Sequence, residues 1–509
     1  MAPTSSAEHK PAGLPVPNSS ASFWHSEPNA FLLGHRTTPD LPAEADIVIV
    51  GSGITGTSAA RFLAEDARAN GKSIVLLEAR EACWGATGRN GGHCQVLPVA
   101  RALDVTQFEV LNYNAVKSYI EDNSVACEWR SLSGCRAYYS ADMFAVAQGE
   151  VAALKEKDPE LGKIVSVVTD PASLAAARVS KAVGCTLTTA AASLWPYKLV
   201  TFILEKLVRG GALNLQTNTP VEALTATVGD AAASHPHTLR TPRGAVRARA
   251  VVLATNGYTS HLLPSFADLI VPVRGEMSAL LPPPGAPRLP NSYGLCGQRG
   301  QPAHGDDYLN QRPYEGVPNP AGHYMYGGGD GAADHERIGV WDDSVVDKGM
   351  AAWLRRRLLE YMELGGETEG VKELEATHQW TGIMGYSRDN VPWVGEVPGV
   401  AKGVWLAGGY TGHGMPNGTL CGKAVVELLL ADEQGVPASE AQQKVIEEVG
   451  LPKSYLITED RLVTVRELPT VAEADATGAI GNHARQEAKP SKRQSGVFEY
   501  LKSFVTSSK

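Results

Sequence analysis

The sequence predicts an α/β chain: a discontinuous, Rossmann-like nucleotide-binding domain interrupted by a second domain. Three observations predict it. An apolar run, Asp46-Ile-Val-Ile-Val50, leads through Gly51-Ser52-Gly53-Ile54-Thr55-Gly56 into a helical pattern. Two more runs of the same buried, parallel-strand character follow far downstream, at 248–254 and 403–407. The stretches 131–185 and 271–377 are instead richer in aromatic residues and proline, with weaker parallel-strand character.

Taken in order, the chain opens with a Pro-, Ser- and Ala-rich segment, 1–40, expected to be extended or poorly ordered. Phe23-Trp24 and Phe31-Leu32-Leu33 carry apolar bulk that a free tail would waste, which suggests an arm laid on the body. Asp46–Val50 is a buried strand, Ile54 to Asn70 a helix, Asn70-Gly71 a turn, and Ser73-Ile-Val-Leu-Leu-Glu78 the next strand, which together make a βαβ unit. Ala248–Ala254 adds a strand, and Gly403–Ala407 adds another that leads through glycines into a helix from about Pro416 to Leu430. The expected units are an arm over 1–40, a nucleotide-binding domain over 41–130, 186–270 and 378–440, a second domain over 131–185 and 271–377, and a C-terminal extension over 441–509 whose end is poorly ordered.

Composition narrows the function. At 509 residues the chain exceeds what one core organises. With 43% hydrophobic and 20% charged residues and no apolar run of membrane length, a soluble protein is expected, without a membrane partner. A formal net charge of −9 argues against a nucleic-acid partner, which needs a basic face. The seven cysteines form no CxxC pair and have no zinc spacing, so no metal is expected and a reduced compartment is. No secretory pattern opens the chain and Ser507-Ser508-Lys509 is no peroxisomal address, so the expected location is cytoplasmic. Nothing in the sequence sets an oligomeric state.

Gly51, Gly53 and Gly56 make a GxGxxG placed between a strand and a helix. The first glycine allows the tight turn, the second lets backbone approach a pyrophosphate, and the third lets helix and strand pack closely; Ile54 and Thr55 supply the first N–H groups. Glu78 ends the second strand where an acid takes ribose hydroxyls, followed by Ala79 and Arg80. An acid there disfavours a 2′-phosphate, leaving NAD or FAD.

The stretches ADIVIVGSGITGTSAARFLAE, LLEAREACWGATGRNGGHCQ, WTGIMGYSRDNVPWVG and VWLAGGYTGHGMPNG together resemble the FAD-dependent oxidoreductases of the D-amino-acid oxidase superfamily, most of all its gamma-glutamylputrescine oxidase-like branch. The resemblance implies a discontinuous FAD-binding domain with an inserted antiparallel-sheet substrate domain, and oxidation of a carbon–nitrogen bond by hydride transfer to flavin N5. Carried over, Gly51, Gly53, Gly56 and Glu78 would hold the ADP half; Gly85, Ala86, Thr87, Arg89, Asn90, Gly91 and Gly92 would run past the pyrophosphate, ribityl chain and ring edge. Val221 would meet the adenine, and Ala254-Thr255-Asn256-Gly257 would lie close to the dinucleotide. A second glycine-rich surface suits a long cofactor such as FAD, and an NAD enzyme would not need it.

By the same resemblance Gly408, Tyr410, Thr411, Gly412, His413, Gly414 and Met415 would underlie the flavin pyrimidine, and the following helix would stabilise negative charge at its C2 carbonyl. His413 is a candidate for a direct electrostatic or proton role, or simply a partner for a backbone carbonyl; His93, near the flavin edge, carries the same two readings. The sarcosine-oxidase branch attaches flavin through a cysteine in the segment matching 380–385, and this chain has none there, so noncovalent FAD is expected. That branch also grips a substrate carboxylate with a lysine where this chain has Met415-Pro416, which leans toward an amine.

Tyr308, Tyr324, Trp341 and Trp380 are candidates to line a cationic pocket, with core packing as the alternative for each. No dedicated base is required, because the cofactor carries the electrons and the protein orients the substrate and excludes water. The expected activity is an FAD amine oxidase using O2 and giving H2O2 and an imine or aldehyde. The alternatives are a biosynthetic oxidoreductase or dehydrogenase acting on a larger nitrogen-containing metabolite, and a flavin-binding protein without turnover.

Overall fold

The computed structural model describes residues 10–99, 101–226, 234–302, 305–316 and 320–478. Two sheets organise them. The first has eight strands, six of them ordered Trp393–Glu396, Val404–Gly408, Gly244–Leu253, Glu44–Val50, Ile74–Leu77 and Asn214–Gln216; Ala223–Ala226 and His237–Thr241 join beside Gly244–Leu253. Glu44–Val50 lies at the centre with parallel neighbours on both sides, Val48 opposite Val251 and Val75, and Ile47, Val48 and Ile49 are fully buried. An unbroken apolar run suits such a two-sided position.

The helix Ile54–Glu65 packs on this sheet and against the helix Gly418–Glu433. Gly422 makes that approach possible: a Cβ there would stand 2.8 Å from the Thr55 carbonyl oxygen. The first helix ends at Glu65 rather than Asn70, because Asp66 turns extended and its carboxylate caps a short turn over Ala67–Ala69. The second begins at Gly418 rather than Pro416; the Asn417 side chain does not cap it but donates to Glu109 and to the His413 carbonyl.

The second sheet has nine strands and is largely antiparallel. Eight run in the order Ala376–Ser387, Ile270–Leu280, Tyr324–Gly328, Asp306–Gln311, Asn291–Cys296, Arg130–Tyr138, Gly184–Ser193 and His93–Gln95, and Val165–Val168 pairs beside Gly184–Ser193. Residues 93–95, 184–193 and 376–387 thus join this sheet, so membership alternates along the chain more finely than composition suggests.

Residues 10–40, expected to be extended or poorly ordered, lie on the body, with Phe23, Trp24 and Leu32 buried and Leu33 exposed. Val471–Ala476, in the polar tail, is a helix closed by a capping box between Thr470 and Glu473. Residues 1–9 and 479–509, where disorder was expected, lie outside the described residues. Among the described residues no helix is long and apolar enough to cross a membrane.

Candidate active site

A single cavity of about 520 Å³ joins the C-terminal edge of the parallel sheet to the face of the second sheet. The strand Glu44–Val50 delivers Gly51, Ser52 and Gly53 to its wall. Gly51 has φ +103°, and a Cβ there would meet the Ala254 carbonyl oxygen at 2.8 Å. A Cβ on Gly56 would overlap the Gly51 carbonyl, so this glycine serves helix–strand packing and does not line the cavity. The helix that follows has no side-chain cap at Gly53, which leaves its positive end facing the cavity.

Glu78 is held in place by its neighbours: Oε2 accepts from the Ser52 N–H at 2.9 Å and hydroxyl at 2.6 Å, and Oε1 accepts from the Arg80 N–H at 3.0 Å. A carboxylate offers about four lone-pair sites, so acceptor capacity remains for a ligand hydroxyl. Ile54, Thr55, Ala79, Arg80, Val221, Ala254, Thr255, Asn256 and Gly257 line the same end.

The second glycine loop is a 3-10 turn over Ala86–Arg89 with Gly85 before it. Gly85, Ala86, Thr87, Arg89, Asn90 and Gly91 line the cavity; Gly92, at φ +71°, packs against Trp24 and the Leu194 carbonyl. Arg89 is a strut under the loop. Its guanidinium donates to the Thr381 carbonyl at 2.7 Å and the Ser20 carbonyl at 2.6 Å and pairs with Asp343 at 3.3 Å. Burial lowers it to about 10, which keeps it cationic at neutral pH. Asp343 also receives Arg80 Nη1 on both oxygens at 3.0 Å. No local pattern announced Asp343, 254 residues after Arg89 in sequence.

The third loop is locked by long-range bonds. Asn256 Oδ1 accepts from Gly409 N–H, the Tyr410 and Thr55 hydroxyls lie 2.7 Å apart, and Asn112 Nδ2 donates to the Met415 carbonyl. Tyr410, Thr411, Gly412, His413, Gly414 and Met415 line the cavity, whereas Gly408 closes the strand behind it.

His93 lies between the two ends. Its Nε2 faces the Leu309 carbonyl at 3.2 Å, and its Nδ1 lies beside Gly91. Burial lowers its pKa to about 4, so His93 is neutral at physiological pH and a poor base.

Of the four aromatic candidates only Tyr308 lines the cavity, its ring 5.7 Å from that of His93. Tyr324, Trp341 and Trp380, expected there from the sequence, lie elsewhere. Tyr324 lies opposite Gln311, one residue out of phase with the face that carries Tyr308 and Gly327, and packs in a core on the far side. Trp380 is fully buried and donates Nε1 to the Arg89 carbonyl, and Trp341 packs against Gly13 of the arm.

The remaining wall carries Tyr138, Tyr386, Glu150, Arg101, an Arg136–Asp306 pair at 2.9 Å, and Arg337 between Asp330 and Asp475.

This lining suits a long ligand with an anionic middle. The positive end of a helix lies beside the first glycine turn, Glu78 stands where a ribose would bind, and two further loops continue the wall. FAD has those parts.

The family model described as FAD dependent oxidoreductase matches residues 46–428. Two curated relatives carry the name "Probable oxidoreductase OrdL": one from Rhizobium meliloti, 26% identical over 406 residues (76% of this chain, 83% of that protein), and one from Haemophilus influenzae, 23% identical over 403 residues (77% and 84%). Among solved structures, glycine oxidase from Geobacillus kaustophilus superposes with a TM-score of 0.60 at 18% identity, over 77% of this chain and 95% of that one. L-proline dehydrogenase from P. horikoshii does so with 0.60 at 16% identity, over 81% and 100%.

Proposed function

The chain belongs to the FAD dependent oxidoreductase family, and from that premise we propose that it oxidises a carbon–nitrogen bond of a small amine, with O2 as acceptor, in the manner of the gamma-glutamylputrescine oxidase-like branch. FAD, when bound, would supply the two-electron acceptor for the hydride on the carbon next to nitrogen, with O2 as final acceptor giving H2O2. The substrate also loses a proton from nitrogen, and the resulting imine hydrolyses to an aldehyde.

Residues 51–55, 78–80, 85–91 and 254–257, with Val221, would hold the cofactor, and 410–415 would close its reactive end. His93, neutral because burial lowers its pKa, contributes as a fixed polar group rather than as a cation. His413 remains the candidate for electrostatic support from the third loop. Tyr308, wedged against Gly91 and Gly327, borders the place where substrate carbon would stand. Its phenol is pushed well above the usual range by burial, so it is protonated and can donate or accept a hydrogen bond.

The observation that favours an amine is the charge of the substrate wall. Glu150, Asp306, Asp330 and Asp475 face Arg101, Arg136 and Arg337, which leaves an excess of one negative charge when all are ionised. Such a wall attracts a cationic substrate. Met415 and Pro416, at the position of the carboxylate-gripping lysine of the sarcosine-oxidase branch, agree with it.

The test is anaerobic mixing of the yellow protein with polyamines, their acyl derivatives, cyclic amines and amino acids, followed by a peroxide assay in air. Bleaching and peroxide with amines are expected. Turnover of amino acids alone would refute the amine reading; bleaching without peroxide would indicate a dehydrogenase, and no bleaching with any of them a protein without this chemistry.

A further inference from the structure

We propose that the N-terminal arm is part of the cofactor site: residues 12–18 form a strap across the ADP half of FAD and set how fast the cofactor leaves. The inference rests on the FAD site described above. The arm precedes residue 46, where the family match begins, so it adds to the shared fold.

The arm runs along the cofactor end of the cavity, from Ser260 to the second glycine loop. At one end Ala12 N–H donates to Ser260 Oγ at 2.9 Å, and Gly13 lies so close to the Trp341 indole that a Cβ would overlap it. Leu14 and Pro15 then line the cavity together with Gly51, Glu78, Val221 and Leu262. Next, the Val16 carbonyl accepts from Arg80 Nη1 at 3.3 Å. At the other end Ser20, Ser22 and Trp24 meet the second glycine loop: Ser20 takes Arg89, Ser22 Oγ donates to the Gly88 carbonyl at 2.8 Å, and Trp24 Nε1 donates to the Asn90 carbonyl at 2.5 Å.

The two halves are held unequally. Phe23 and Trp24 sit in an aromatic cluster with Trp195, whose Nε1 donates to the Trp24 carbonyl, and the Arg312 guanidinium lies over Phe23 and Trp195. Residues 13–16 are half-buried and Pro17 and Asn18 are exposed. Peeling residues 12–18 from Ser260 and Arg80 breaks two hydrogen bonds and uncovers the ADP end, while the anchor at Phe23-Trp24 stays in place. Because the strap and the ligand share the wall formed by Glu78, Arg80 and Val221, closure of one favours retention of the other.

The experiment staples the strap in the full-length holoprotein with Ala12→Cys and Ser260→Cys, whose polar atoms already touch. All seven native cysteines are buried and free, so mild reduction reads the new bond alone. Flavin release after dilution is followed by the rise in free FAD fluorescence. The oxidised staple is expected to release flavin at least tenfold more slowly than the same protein after reduction, and Leu14→Gly with Pro15→Gly to release it severalfold faster than wild type.

Equal rates for the oxidised and reduced staple, with the bond verified by mass, would overturn the strap. Where the bond does not form, flavin release from the Leu14→Gly, Pro15→Gly protein at the wild-type rate would overturn it. A protein that binds FAD and is bleached by amines but shows no staple effect refutes the strap and leaves the function standing; a protein that never binds FAD refutes both.

Discussion

Replacing Asp343 with asparagine tests the idea that a buried charge cluster, rather than the glycine motif alone, fixes the second loop. Asp343 is fully buried between two guanidiniums that are almost as buried, Arg80 at 3.0 Å and Arg89 at 3.3 Å. Asparagine keeps the shape and one acceptor but strands two buried cations without their counter-charge, and removing one partner of a buried pair costs about 3–5 kcal/mol. The lower end applies here, because the carbonyls of Val16, Trp84, Thr381 and Ser20 still accept from the two guanidiniums. A loss of about 3 kcal/mol lowers the melting midpoint by roughly 6 °C for a domain of this class. Thermal melts of the FAD-free protein read it, and a double-mutant cycle with Arg80→Met isolates the pair. Coupling above about 1 kcal/mol is expected for partners in direct contact. A midpoint within about 1 °C of wild type, or a cycle additive to within about 0.5 kcal/mol, would refute the reasoning.

Two further outcomes follow from single groups. Glu276 is buried, with Oε1 accepting from Thr381 Oγ1 at 2.7 Å and Oε2 without a partner, and burial pushes its carboxyl from 4.5 up to about 7. A raised folded pKa means that its contribution to stability is fully present below pH 4.5 and is lost as pH rises through 7. At about 1.4 kcal/mol per unit the loss approaches roughly 3 kcal/mol. Glu276→Gln should therefore match wild type in melts near pH 4 and exceed it near pH 8; a variant that melts lower at both would contradict the assignment. The flavin should leave the chain on acid precipitation, giving a white pellet and a yellow supernatant. Cys83 and Cys94 flank the second loop but are buried, and burial pushes the Cys94 thiol up to about 12, far from the thiolate needed for attachment. Colour kept by the washed pellet would overturn noncovalent binding.

What could be read from the sequence was what local chemistry dictates. Gly51 and Gly56 announce themselves because a tight turn and a close helix–strand approach each demand the absence of a Cβ, and Glu78 follows at the end of a recognisable strand. The substrate wall was harder. Tyr308 and Tyr324 look alike as aromatic residues in polar stretches, and only the register of two paired strands, Tyr308 opposite Gly327 and Tyr324 opposite Gln311, sends one to the cavity and the other to a core. Asp343 with Arg89, Arg136 with Asp306, and Arg337 with Asp475 come from segments that meet only in the folded chain. Their signal is the pairing itself, which no spacing records.

The second loop also explains why residues that never touch a ligand can govern its affinity. Glycines at 85, 88, 91 and 92 give that loop freedom that ordering must remove, at about 1–2 kcal/mol per residue fixed. Four groups of the loop are held by donors from other segments: Thr87 Oγ1 by the Ile54 N–H, the Gly88 carbonyl by Ser22, the Arg89 carbonyl by Trp380 and the Asn90 carbonyl by Trp24. Each bond moves part of the ordering cost from the moment of binding to the moment of folding, which is how a preorganised site gains affinity. Ser22, Trp24 and Trp380 therefore belong to the binding energetics although none of them lines the cavity. A substitution at Ser22 or Trp24 should loosen the cofactor before it disturbs the substrate wall, since that wall rests on the second sheet and the helices Ala141–Lys157 and Val471–Ala476.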